Sequence, residues 1–526
     1  MQKAEQAEKR RFTRRGFLRS TAALTGLLAM SPGHVAEAYR NRISAKPTSK
    51  NTRPNIVFFF VDDLGWQDTS VPFWEEVTEL NKRYRTPHME KLANEGVKFT
   101  NAYAAAICSP TRISIMTGQN AARHRVTYWT RDLNQITGGN GPLLDAPQDW
   151  NYNALQPKGT DLNNSIEAEP LPALLSEAGY RTMHIGKAHL GTNYSPGECP
   201  TSIGFNDNVS GFGSGGPGCF LGRRNFGNEY AQHTYPWGVP DLEHYHGMDL
   251  FLTEAHTIEA FRLMDDAVKN GQPFFLHMSH YAVHTPLRLD QRFADNYPDL
   301  SGNELMYATM IEGMDKSLGD ILRRLEALGI EDNTIVILYS DNGALTTILP
   351  RNYPLRGGKG TGYEGGIRVP LIIKWPGAAN PGSTCSVNVT AEDFYPTILA
   401  MAGVDMPAAY KKDYVDGRDF TPLLNGEGSF DRDRPIFFHQ PHYHVGKPYS
   451  TVIKNNWKLI YWHEDSSVDL YDLKNDIREQ NNLAVQNPKK TTELKTLLGQ
   501  HLSSVQAQMP TQKTNGQMVV PYPSGG

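Results

Sequence analysis

The run Asn55–Val61 is apolar at nearly every position. That is the pattern of a strand buried on both faces, as in a parallel sheet. Similar short runs recur at 180–185, 273–279, 334–339 and 369–374. Helical spacing lies between them: Pro87–Glu95 before Gly96, 171–178 closed by Gly179, Leu252–Lys269, and 304–328. In the last of these Leu305, Ala308, Ile311, Leu318, Leu322 and Leu325 share one face, and Gly329 is the stop. Strands alternating with helices predict an α/β sandwich, with a large, mostly parallel central sheet flanked by helices. Residues 127–168 show little periodicity and read as a long surface loop shaping the mouth of a pocket, and the Gly-rich 204–247 reads as another irregular insertion. After Asn425 the texture changes. Residues 453–462 and 467–473 read as antiparallel strands and 488–508 as a closing helix, a smaller C-terminal α+β subdomain. The expected divisions are a large domain over 54–425 and a subdomain over 426–526, preceded by a polar, basic linker over 39–53.

Composition adds a leader and an acidic body. Thr13-Arg14-Arg15-Gly16-Phe17-Leu18-Arg19 is followed by a modest apolar stretch and then Ala36-Glu37-Ala38. A basic region, a short apolar region and an A-x-A site form a signal peptide over 1–38. The paired arginines resemble a bacterial twin-arginine signal, which implies export of the folded protein, by that machinery, to the periplasm or beyond. No apolar run is long enough to span a membrane. The whole chain carries a formal charge of −4, and residues 1–38 hold seven Lys/Arg against three Asp/Glu, so the rest carries about −8. An acidic body argues against nucleic acid as a partner. An anionic substrate must be drawn by a local cationic pocket. Of the four cysteines, Cys199 and Cys219 flank a Gly-rich loop; an exported protein can bond them, and two unpaired thiols remain the alternative.

The chemistry concentrates at Cys108-Ser109-Pro110-Thr111-Arg112. Pro110 suits a first helical position and Ser109 an N-cap. Ile113, Ile115 and Met116 continue to Gly118, a helix stop. Cys108 is then placed beside free backbone N–H groups and the positive end of a helix, with Arg112 able to reach the same place. A potential nucleophile, an anion hole and a cation within five residues suit a sulfate or phosphate group. A buried Cys beside an ordinary helix start is the plainer alternative.

Charged residues also follow the apolar runs: Asp62-Asp63, Lys187 and His189, His284, and Asp341-Asn342, with Lys359 on a later turn. Open α/β sheets bind ligands beyond the carboxyl ends of their strands. Asp62, Asp63, Asp341 and Asn342 are hard oxygen donors, suited to Ca²⁺ or Mg²⁺ and not to zinc. Gathered carboxylates repel, so this set calls for a divalent cation. Arg356-Gly357-Gly358-Lys359-Gly360 superficially suggests a nucleotide P-loop but lacks the earlier Gly and the Ser/Thr after Lys. His439, His442 and His444 read either as a second metal site or as a solvated loop near the pocket rim. Trp129 and Arg123 are further candidates for substrate contact.

Cys-x-Pro-x-Arg, with Asn101-Ala102-Tyr103 before it and Met116-Thr117-Gly118 after it, resembles the type I sulfatases of the alkaline phosphatase superfamily. So do Glu364-Gly365-Gly366-Ile367-Arg368 and, near the C-terminus, Asp469-Leu470-Tyr471-Asp472 with Asn482-Leu483-Ala484. The resemblance implies that a maturation enzyme oxidises Cys108 to Cα-formylglycine. It also implies that Asp62, Asp63, Asp341, Asn342 and residue 108 hold Ca²⁺, and that Arg112, Lys187, His189, His284 and Lys359 surround the sulfate. In the family mechanism the aldehyde hydrates to a gem-diol. Asp341 helps remove the proton from the attacking hydroxyl. His284 and Lys359 assist protonation of the leaving group, and His189 takes the proton from the second hydroxyl as sulfate is expelled. Family members commonly have Trp where this chain has Ala188, which implies changed packing with the charged pair intact. The expected activity is hydrolysis of sulfate esters on a small molecule or an oligosaccharide. The alternatives are a phosphonate or phosphate ester hydrolase of the same superfamily, and an inactive ligand-binding relative.

Overall fold

The computed structural model describes residues 53–228, 237–349, 351–426 and 429–520. The expected signal segment 1–38 and all of the expected linker but Arg53 lie outside the described residues. The central sheet contains β1 (Asn55–Val61), β2 (Val97–Tyr103), β3 (Arg181–Gly186), β4 (Asp207–Val209), β5 (Phe274–Ser279), β6 (Thr334–Ser340), β7 (Arg368–Lys374), β8 (Ser383–Cys385) and β9 (Val389–Thr390). Their order is β8-β2-β7-β6-β1-β5-β3-β4, with β9 also on β2. The run from β6 through β1, β5 and β3 to β4 is parallel, and β7 is antiparallel to both neighbours.

The two faces of β1 show why its sequence does not alternate. Val57, Phe59 and Val61 enter one apolar cluster, whereas Ile56, Phe58 and Phe60 enter another. Each full burial of such a side chain is worth about 1.5–3 kcal/mol. On the first face lie α1 (Pro87–Glu95), α4 (Leu252–Lys269) and α5 (Gly302–Ala327); on the second lie α2 (Cys108–Thr117), α3 (Leu171–Glu177) and α6 (Phe394–Ala402). This is the expected α/β sandwich.

The smaller sheet is antiparallel, with strands β10 (Ile436–Gln440), β11 (Tyr449–Lys454), β12 (Trp457–Trp462) and β13 (Val468–Asp472) in order. The helix α7 (Pro488–Ser504) covers it through Leu494, Leu498 and Leu502. The expected single strand over 453–462 is instead two strands joined by a tight turn, where Asn455 takes a left-handed φ of 56°. Strands β2 and β10 were not expected. Both mix polar with apolar positions, and β2 owes its place to partners far away in sequence. All four cysteines are free thiols, so Cys199 and Cys219 form no disulfide here. Among the described residues no helix is long and apolar enough to cross a membrane.

Candidate active site

The parallel strands bring their carboxyl ends to one edge. Register places Phe60 beside Ser279, Val61 beside Ser340 and Gly186 beside Ser279. Asp62, Asp341 and Lys187 therefore leave the sheet side by side. Backbone bonds lock the exits: Asp62 N–H donates to Ala282 O, Asp341 N–H to Val61 O and Lys187 N–H to Ser279 O, at 3.0, 3.1 and 2.8 Å. Asp63 and His189 both hold left-handed φ angles, 60° and 54°, strain of the kind that concentrates at functional sites.

The side chains form a continuous network. Arg112 donates from Nε and Nη2 to Asp341 Oδ2 at 3.0 and 2.8 Å. Its Nη1 donates to Lys187 O and Ser279 Oγ. Lys187 Nζ bonds Asp62 Oδ2 at 2.7 Å, and Lys359 Nζ bonds Asp63 Oδ1 at 2.6 Å. Asn342 Nδ2 donates to Asp63 Oδ1 at 2.7 Å. Cys108 begins α2 and lies within electrostatic reach of Arg112 and Lys359. Gly360 N–H donates to Ala106 O at 2.7 Å, tying the Lys359 turn to the Cys108 turn. All the sequence-expected candidates, Asp62, Asp63, Cys108, Arg112, Lys187, His189, His284, Asp341, Asn342 and Lys359, belong to this one constellation. The site opens beside His284, whose side chain is 22% exposed against 8% for Lys359 and 0% for Lys187.

Electrostatics sharpen the picture. Burial pushes the Asp62 carboxyl well up, and repulsion from Asp341 adds to it despite Lys187. Burial also opposes ionisation of Asp63, but Lys359, His284 and Lys187 outweigh it and hold Asp63 low. Asp341 is held low against its own burial by Arg112 and Lys187. Lys359 stays charged: its burial is outweighed by Asp63 and the other anions around it. Burial, and then Lys359, press His284 down to about 3.

Two histidines have defined tautomers. His189 Nε2 lies 2.7 Å from Thr130 O, which can only accept. The proton is therefore on Nε2, and the buried Nδ1, which finds no hydrogen-bond partner among the described residues, presents a lone pair. His284 Nδ1 likewise donates to Thr285 O at 2.7 Å, which turns Nε2 toward Asp63 Oδ2 at 3.9 Å.

Asp62 Oδ1, Asp63 Oδ2 and Asn342 Oδ1, all buried in the site, find no hydrogen-bond partner among the described residues. An unpaired buried polar atom costs about 1–3 kcal/mol, more when charged. Among the described residues, the only His/Cys/Asp/Glu group with three ligand atoms within 4.8 Å of one another is Asp62, Asp63 and His284. Orphaned hard oxygens in a buried acidic cluster fit a divalent cation.

Several expectations need correction. Ser109 is not the N-cap: that position is Ile107, and no side chain caps the helix. Ser109 Oγ instead meets His189 Nε2 at 3.0 Å and accepts from Thr130 N–H. Arg112 does reach back, but four of its contacts are spent on Asp341, Lys187 and Ser279. His439 and His442 are neither solvated nor part of a metal group among the described residues. His439 is bonded to Ser450 and Gln508, and His442 to Thr127, all inside the fold. Arg123 is held by Asp416 at 2.8 Å, and Trp129 packs against an apolar cluster.

Sequence reasoning missed Thr130, Gly215 and Gly216, and it left His444 grouped with His439 and His442. Thr130 fixes the His189 tautomer from the long loop. Gly215 and Gly216 lie against the two histidines: an added Cβ would sit 2.5 Å from His189 Cε1 or 3.1 Å from His284 Cε1. His444, alone of its cluster, comes within electrostatic reach of Lys359 and Asp63. The Gly-rich composition of 204–247 was the one available signal, since close backbone approach needs glycine.

The sulfatase family model matches residues 54–404, and one for the N-sulphoglucosamine sulphohydrolase C-terminal region matches 358–508. The chain belongs to the sulfatase family and is a sulfuric ester hydrolase. It is similar to a sulfatase of Formosa agariphila, 32% identical over 504 residues, covering 84% of this chain and 86% of that one. Mouse N-acetylgalactosamine-6-sulfatase is 29% identical, covering 78% and 72% respectively. A crystal structure of Ps i-CgsB with k-i-k-neocarrahexaose superposes with a TM-score of 0.68 at 26% identity, covering 86% of this chain and 93% of that one.

Proposed function

We propose that the protein is an exported carbohydrate sulfatase, with Cys108 carried as Cα-formylglycine and Ca²⁺ held by Asp62, Asp63, Asp341, Asn342 and residue 108. The observation that supports this reading is the meeting of three orphaned oxygens with two buried lysines, one of which, Lys359, lies within electrostatic reach of Cys108. The names of the similar proteins support a sulfated sugar as substrate. The twin-arginine-like leader supports export after maturation in the cytoplasm.

When bound, the cation polarises a sulfate oxygen and lowers the proton affinity of the nucleophile. Cα-formylglycine at residue 108, as its hydrate, would supply an attacking hydroxyl and a second hydroxyl able to give up its proton. The chain's own residues do the rest. Arg112 fixes Asp341 with its carboxylate ionised, and Asp341 accepts a proton during attack. Lys187 and Lys359 offset charge that grows on the sulfate oxygens, which favours the transition state over the ground state. Lys359 bears the proton nearest the leaving side, with His284 as its relay at the open mouth. His189 Nδ1 is the lone pair available to the second hydroxyl.

The test is a screen of matured protein against defined sulfated mono- and oligosaccharides, beside aryl sulfate and aryl phosphonate esters. Desulfation of a saccharide is expected. Preference for the phosphonate would replace the reading with that of a phosphonate hydrolase. Cys108→Ala is expected to abolish turnover with the fold retained, and undiminished activity would exclude residue 108 as nucleophile.

A further inference from the structure

A cleft of about 840 Å³ opens between the central sheet and the small sheet. None of the candidate active-site residues lines it. It is of ligand-binding size, and such sites favour junctions between packed units. At Lys98 and Thr384 it meets a second depression of about 320 Å³ along β8. The two together make an elongated trough.

Its lining is chemically one-sided. The larger cleft is lined by Lys98, Arg368, Arg432 and Lys474 against one carboxylate, Glu75, and the depression along β8 adds Glu90, in a body that is acidic as a whole. Arg368 is spent: it lies over Trp66 at 4.3 Å and bonds Glu364 and Thr100. Arg432 and Lys474 are exposed and make no ion pair among the described residues. Lys98 Nζ gives one proton to Pro72 O and keeps the others. Half-buried Trp74, flanked by Arg478 and Tyr353, lines the cleft with its indole, and Asn455 and Asn456 offer amides from the β11–β12 turn.

Cations, amides and an aromatic face along an open trough match one class of ligand: an extended, anionic, hydroxyl-rich chain with apolar C–H faces. We propose that this cleft is a second, non-catalytic binding site for a sulfated polysaccharide, an inference that rests on the carbohydrate sulfatase reading. Capture of a chain long enough to reach from the cleft to the catalytic pocket raises the local concentration of its sulfate esters there. Charge alone would serve a nucleic acid too; the sugar-facing features favour the glycan.

The test uses the full chain with Cys108→Ala, in affinity gels containing carrageenan, fucoidan or heparin, each beside its desulfated counterpart. Retardation by at least one sulfated polymer is expected, weakening with salt. In Arg432→Ala/Lys474→Ala it should weaken about tenfold, since each removed cation takes a charge-assisted contact with it. Trp74→Ala should weaken it as well. On a wild-type background the double variant should keep its melting temperature and its turnover of 4-nitrophenyl sulfate. The proposal fails if no sulfated polymer retards the protein, if the desulfated polymers retard it equally, if single-stranded DNA is held as tightly, or if the double variant is retarded like its parent. The two readings fail separately. Lost retardation with intact ester turnover in the double variant supports the cleft. Cleft-dependent retardation in a protein that cleaves no sulfate ester leaves the cleft standing and removes the catalytic reading.

Discussion

Arg112 Nη2 lies 2.8 Å from Asp341 Oδ2, and Nε of the same guanidinium lies 3.0 Å from that same oxygen. Both side chains are fully buried. A pair this enclosed gives no dependable stability, but removal of one member leaves a bare charge, at about 3–5 kcal/mol. Arg112→Ala should therefore lower stability by that order in denaturant unfolding. It should also reduce kcat/KM by about 100-fold or more, because Asp341 loses both its position and its ionisation. Arg112→Lys places one donor where two were and should fall between. Wild-type kinetics in the Ala variant would show that Asp341 has no part in the reaction.

The unpartnered oxygens of Asp62, Asp63 and Asn342 make a second prediction about metal. Ca²⁺ at about 100 times its dissociation constant should stabilise the protein by about 2.7 kcal/mol, read as a rise in melting temperature over the chelated protein. Asp62→Asn should blunt that response. Mg²⁺ should act less strongly, because it demands tighter octahedral geometry than this mixed set offers. Identical melting with Ca²⁺ and with chelator would sink the oxygen-cage reading.

His444 is expected to touch the substrate beyond the sulfate. Its Nδ1 finds no hydrogen-bond partner among the described residues, and it sits over the Lys359-Gly360 turn so closely that a Cβ on Gly360 would lie 2.2 Å from that nitrogen. His444→Ala should raise KM for a sulfated oligosaccharide while leaving turnover of a small aryl sulfate unchanged. A uniform loss on both would move His444 into the reaction itself.

Much of this site could be read in the chain because its chemistry follows its strands. Once Asn55–Val61 is a buried parallel strand, Asp62 and Asp63 must emerge at its carboxyl end, and the same holds for Lys187, His284 and Asp341. What stayed hidden was pairing across long separations. Nothing local in Ser109 says that its hydroxyl meets His189 instead of capping a helix. Nothing local separates His444, near the pocket, from His439 and His442 in the interior. Strand β2 mixes Lys98, Thr100 and Asn101 with apolar residues, so its periodicity is weak until β7, β8 and β9 supply its partners.

The clearest hidden element is Lys458. Its Nζ lies 3.0 Å from Glu364 Oε1 and 2.8 Å from Glu479 Oε1, with all three side chains fully buried. Glu364 also accepts from Tyr103 OH and Arg368, so the triad fastens the small sheet to the segment behind the Lys359 turn. Lys458→Met should destabilise the protein by about 3–5 kcal/mol, because two buried carboxylates lose their cation. The combined variant Lys458→Met, Glu364→Gln, Glu479→Gln should recover much of that loss in urea unfolding. A combined variant weaker than the single one would show that these charges stabilise the fold on their own account.

A last prediction concerns pH and lies away from the pocket. Asp315 on α5 caps the start of α1, accepting from His88 N–H at 3.1 Å and Met89 N–H at 2.8 Å. Burial nevertheless pushes its carboxyl up to about 7, against an ordinary value of 3.8, because the two backbone bonds offset only part of the desolvation. The native state thus keeps a proton that the unfolded chain has already lost. Stability from this group is complete below about pH 4 and declines as pH rises toward 7, by about 4 kcal/mol at most. Asp315→Asn has no proton to lose. Its stability relative to wild type should therefore improve from pH 5 to about pH 7 and level off above it in chemical unfolding. A constant difference across that range would mean that Asp315 is ionised throughout and that the two N–H donors outweigh its burial.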